Sequence, residues 1–125
     1  MSSRIEPEGS SGAAWKLPEE LRVLAEMGDA DVVREVIGVF QTDTEARIRR
    51  IADGLAEVNA ARVRGEAHAI KGSAGQVGAM LISNLARDME AAASRQDLAE
   101  ASRLLPALEA AFAKVRLAMS STEIP

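Results

Sequence analysis

From Val33 to Leu55 the apolar residues keep a single helical register. Val33, Ile37, Phe40, Thr44, Ile48, Ile51 and Leu55 follow one another at steps of three and four, a stripe broken only by Thr44. A helix from about Asp31 to Ala56 with this stripe would run about 38 Å at ~1.5 Å per residue. It must bury one side along its whole length, so the chain needs further helices to cover it.

The remaining sequence supplies them. Asn59 is a natural N-cap for a helix from about Ala60 to Val77, which Gly78 can stop. A further helix spans about Ala79 to Arg95 with Leu81, Leu85, Met89 and Ala92 facing inward. Asp97 can cap a last helix from Leu98 to Met119, striped by Leu98, Ala101, Leu105, Leu108, Phe112, Val115 and Met119. Pro106 interrupts that stripe and predicts a kink or break near Arg103. Ahead of the long helix, Pro18 can open a short one carrying Leu17, Leu21, Leu24 and Met27. Gly28 would end it, and Asp29 or Asp31 would cap the next. No period-two run or Asn-Gly hairpin is present. The expected fold is all-α: an antiparallel four-helix bundle with a short extra N-terminal helix. Residues 1–14, rich in Ser, Gly, Glu and Pro, read as a flexible tail, 15–119 as the bundle, and 120–125 as a frayed end.

Composition removes several functions. The formal charge is −4, which argues against nucleic-acid binding. Twelve of the fifteen basic residues are Arg, but the cluster Arg47, Arg49 and Arg50 is interleaved with acids and reads as a solvated face. Without cysteine there can be no disulfide, thiolate zinc site or cysteine nucleophile, as suits a reducing compartment. No apolar run approaches the ~20 residues of a membrane span, and the N-terminus lacks the apolar stretch of a signal peptide. A cytoplasmic monomer is expected.

Chemistry centres on the only histidine, His68. At ~100° per residue, Val63, Ile70 and Val77 lie opposite it, so His68 faces outward. Arg64, Lys71, Gly72, Gly75 and Ala79 share its sector, with Gly65 at the edge and Gln76 just beyond. Glycine inside a helix costs roughly 1 kcal/mol relative to Ala. Gly65, Gly72 and Gly75 on the exposed side therefore suggest either close approach by another surface or a shorter, frayed helix. An exposed imidazole with Lys71 one turn away suits phosphoryl chemistry: a neutral ring offers a lone pair, and the ammonium can neutralise phosphoryl oxygens. Other sites fit poorly. Lys71-Gly72-Ser73 is not in the order of a phosphate loop. Glu66 lies about 160° from His68, so it cannot join it in a metal site on the same helix.

The stretch His68-Ala69-Ile70-Lys71-Gly72-Ser73-Ala74-Gly75-Gln76-Val77-Gly78 resembles the H-x-x-K-G-x-x-x-x-x-G signature of histidine phosphotransfer (HPt) domains of bacterial phosphorelays. The likeness extends from about Asp31 to Met119, with Phe40, Leu85 and Glu90 fitting its pattern. It implies a phosphoacceptor at His68 and a phosphate-stabilising cation at Lys71. Gly72 would leave room for a partner, and Gln76 would hydrogen-bond the ring or phosphoryl group. Arg64, Gly65, Gly75 and Ala79 complete the expected partner face, with apolar residues from the end of the long helix. The implied partners are response-regulator receiver domains and a hybrid histidine kinase. No cofactor is expected on this chain, Mg²⁺ being carried by the receiver. No autonomous enzymatic activity is implied. Two other readings keep the fold: a module that binds receivers or a kinase without carrying phosphate, and the phosphoacceptor domain of a chemotaxis-type kinase.

Overall fold

The computed structural model describes residues 15–125, and the expected tail at 1–14 lies outside them. The described chain forms a short helix α1 (Glu19–Leu24) running through a π-helical turn (Ala25–Asp29) into α2 (Ala30–Ala56). Then follow α3 (Ala60–Gln76), α4 (Met80–Ser94) and α5 (Leu98–Ser121). The four long helices make an antiparallel bundle, and no strand occurs among the described residues.

Three short links of one design fix the antiparallel order. After α2, α3 and α4 the chain takes a left-handed residue, Val58 (φ 53°), Gly78 (φ 75°) and Gln96 (φ 61°). The next residue's N–H reaches back to the preceding helix, Asn59 to Gly54 O, Ala79 to Ala74 O and Asp97 to Ala92 O, at 2.7–2.9 Å. These are Schellman closures, which satisfy carbonyls the helix end would leave unpaired. The same residue then starts the following helix. Asn59 accepts from Arg62 N–H and Asp97 from Glu100 N–H, as their side chains predict. Gly78 has a second reason to be glycine, since a Cβ there would lie 2.9 Å from Pro18 Cγ. Val58 is exposed, and a β-branched residue in this region is strained. Val58→Gly is expected to raise unfolding stability by about 1 kcal/mol, read from chemical denaturation. Unchanged or lower stability would show that the turn carries no strain.

The stripe of α2 is buried as its spacing requires, with Leu55 half-buried at its end. Ile51, Ile70, Ile82, Met89 and Leu108 fill the centre. The Phe40 and Phe112 rings meet edge-on at 6.5 Å and join α2 to α5. Trp15 is buried and donates from Nε1 to Val77 O at 2.7 Å, tying the N-terminal segment to the end of α3. Thr44, the polar break in the stripe, is fully buried and its hydroxyl has no partner among the described residues.

Several expectations are corrected. Leu81 is exposed and Ile82 is buried in its place, while Met89 and Ala92 are buried as expected and Leu85 packs half-buried against the core. Met27 is exposed because the π-helical turn and the left-handed Gly28 rotate it off the face of Leu21 and Leu24. Asp29 precedes α2, but its side chain makes no capping bond. α5 is not broken near Arg103: it runs unbroken with Pro106 inside it. Pro106 and Ser102 are both exposed, so the carbonyl deprived of its partner lies on the solvent side. Ser120 and Ser121 are helical, and Ile124 packs against the core.

Candidate functional site

α3 is one uninterrupted helix, so its glycines do not mark a shorter or frayed element. It buries Val63, Ala67, Ile70 and Ala74 and turns His68 outward, with 66% of that side chain exposed. Its most extensive contacts are with α4. Alanines on both sides, Ala67 and Ala74 on α3 and Ala86 and Ala93 on α4, are buried there and allow close approach of the backbones. Ser83 of α4 donates to Lys71 O at 3.0 Å and pins the register between the two helices.

That register brings a third residue to the site. Glu90 on α4 places Oε2 2.8 Å from His68 Nδ1 and Oε1 2.8 Å from Lys71 Nζ. The Lys71 ammonium, and less strongly the ring, hold the Glu90 carboxyl below the usual carboxylate range, against an opposing push from burial. Glu90 is therefore ionised wherever histidine is neutral. An ionised carboxylate only accepts hydrogen bonds, so the Nδ1 position carries the ring proton. Nε2 is then left with its lone pair on the exposed imidazole.

The other expected site residues divide. Arg64, Gly65, Gly72 and Gly75 are all exposed on α3. A Cβ at Gly65 or Gly72 would meet nothing within 4 Å, so packing within the fold does not require glycine at either position. Gln76 is exposed but lies two turns beyond His68, about 12 Å along the axis, and makes no hydrogen bond to the ring. Ala79 is buried. Helical phasing placed it outside, but α3 ends at Gln76, and the turn after Gly78 carries Ala79 inward. The exposed apolar residues of the long helix also sit at its beginning rather than its end: Val32, Val36 and Val39. Because α2 and α3 are antiparallel, Val36 and Val39 border a groove with Ser73, Gln76 and Val77.

Arg47 and Arg50 reach across to Glu66 on α3 at 2.9 and 3.5 Å, and Arg47 also holds Asp43, so this cluster braces two helices rather than forming a purely solvated face. Among the described residues no three His, Cys, Asp or Glu side chains group as a metal site, and no helix is long and apolar enough to cross a membrane.

The family model described as "Hpt domain" matches residues 35–118. Among solved structures, the chain is similar to histidine-containing phosphotransfer protein B (HptB) from Pseudomonas aeruginosa PAO1. The two are 28% identical, with 84% of this chain and 91% of that chain covered and a TM-score of 0.76. No curated protein matches the chain.

Proposed function

The chain belongs to the Hpt domain family, whose business is histidine phosphotransfer in two-component signalling, and from that premise we propose that His68 accepts a phosphoryl group from a receiver-domain aspartate and passes it to a second receiver. The observation that carries this reading is the Nδ1–Glu90 bond on an exposed ring, which leaves Nε2 as the free nitrogen of a neutral imidazole.

In the forward step the Nε2 lone pair attacks phosphorus. An Nε2–P bond forms as the P–O bond to the aspartyl carboxyl breaks, and the aspartate leaves as a carboxylate. The ring retains its Nδ1 proton and gains positive charge, which the Glu90 carboxylate faces directly. Lys71, one turn along, is the cation within reach of the phosphoryl oxygens. The Mg²⁺ this chemistry calls for belongs to the receiver. Transfer onward runs the same exchange in reverse with a second aspartate. Gly65 and Gly72 keep the ring's surroundings low, so a receiver's active site can approach the imidazole. The Val36–Val39 ridge beside Gln76 extends that docking face. The chain thus acts as a relay intermediate, and its partner contributes the rest of the catalysis.

Incubation with a phosphorylated receiver tests the reading. The chain should gain label that is labile to acid and stable to base, and should lose it to a second receiver. A chain that binds receivers but never takes up label is an interaction module, and the relay reading would fall.

A further inference from the structure

The charges around His68 are almost all matched. Lys71, the cation on its C-terminal side, already holds the Glu90 carboxylate at 2.8 Å. On α3, Arg62 pairs with Glu57 of the preceding turn, and Glu66 with Arg47 and Arg50 of α2. On α4, Arg87 pairs with Asp88. Arg64 differs: it is exposed, and no carboxylate of the described residues lies within 4.0 Å of it. With a neutral ring, His68, Lys71 and Glu90 sum to zero charge, and Arg64 adds a cation on α3 that no carboxylate of the described residues offsets; Arg95, at the end of α4, is likewise unpaired.

Its position suits that role. Four residues separate Arg64 from His68, which stacks them on one side of α3 about 6 Å apart along the axis. Gly65 lies between them in sequence, with open space where a side chain would stand. Arginine offers a planar fork of donors that matches phosphate and carboxylate oxygens, and it keeps its charge at every working pH.

We propose that Arg64 is the docking cation of this face, drawing in and orienting the anionic aspartyl-phosphate end of an incoming receiver. The inference rests on the phosphotransfer reading above and adds a division of labour to it. Lys71 is committed to Glu90 and the reacting group. Arg64 is a positioning residue that governs productive encounter. An exposed charge at the rim of an interface acts chiefly on association, and its effect fades with salt.

The test is transfer from a phosphorylated receiver to the wild type, R64K, R64A and R64E over a range of ionic strengths. At low salt, kcat/KM should fall about tenfold in R64A and about 100-fold in R64E, mostly through KM, while R64K keeps most of the wild-type value. The wild-type rate should fall more steeply with salt than that of R64A. Should R64E fold poorly, judged by circular dichroism, the R64A salt slope still decides. Wild-type kcat/KM in R64E, or equal salt slopes for wild type and R64A, overturns the role of Arg64 and leaves the phosphotransfer reading standing. A wild-type chain that takes no label from the receiver overturns both.

Discussion

His68→Gln is expected to take up no phosphoryl label from a receiver that labels the wild-type chain, and to melt as a folded bundle. The imidazole is largely exposed, and its hydrogen bond is to Glu90, which retains Lys71 as a partner. Losing one such bond at the surface costs about 1 kcal/mol, a small part of the stability of a domain. The chemistry has no such reserve. The amide of glutamine has no nucleophilic lone pair comparable to Nε2, and His68 is the only histidine in the chain. Label should therefore vanish rather than diminish. Undiminished label in this variant would place the acceptor elsewhere and remove His68 from the centre of the mechanism.

Glu90→Ala should slow transfer by about 10- to 100-fold while leaving His68 exposed. A hydrogen bond to a charged group contributes about 1.5–3 kcal/mol, and each ~1.4 kcal/mol in the barrier is tenfold in rate. The carboxylate acts twice: it holds the proton on Nδ1 so that Nε2 is free, and it faces the charge the ring acquires as phosphorus arrives. The loss should appear in kcat, because Glu90 meets the reacting ring rather than the partner's surface. Removing it also frees Lys71, which by itself would favour a bound phosphoryl group. A fall in rate despite that release isolates the effect on the imidazole. Glu90→Gln should lie between the two, since an amide oxygen can still accept from Nδ1 but carries no charge. Wild-type rates in both variants would mean that Nε2 is available without help from α4.

Helix positions and most of their inward faces were legible in the sequence because the core of a bundle imposes a period, and the stripe of α2 states that period over its whole length. Asn59, Asp97 and Gly78 were legible as punctuation, since their roles depend on the backbone next to them. Phasing on α3 likewise turned His68 outward correctly. The failures arose where one helix's arithmetic was carried beyond its own end or asked about a neighbour. Helical counting reaches the outer face at Ala79 only by running through a turn that has already left the helix. The stripe of α4 counts Leu81 as inward, where the structure buries Ile82 instead.

Glu90 fits the family pattern, but spacing along one helix assigns it no role, because its contact with His68 joins residues 22 apart across a hairpin. A signal for it did exist. Ten residues either side of Gly78 lie His68 and Asp88, so an antiparallel hairpin centred there sets the ring against that stretch of α4. What counting could not decide was which acid turns inward. Asp88 faces solvent with Arg87, while Glu90 lies beside the buried Met89 and reaches α3.

The most direct measurement of the central claim is nitrogen-15 and phosphorus-31 magnetic resonance of the chain after transfer from a receiver, which identifies the ring atom bonded to phosphorus. With Nδ1 engaged by Glu90 and Nε2 open to solvent, the phosphoryl group should be found on Nε2 of His68, with the proton remaining on Nδ1. Phosphorus on Nδ1, or on any residue other than His68, would contradict the claim.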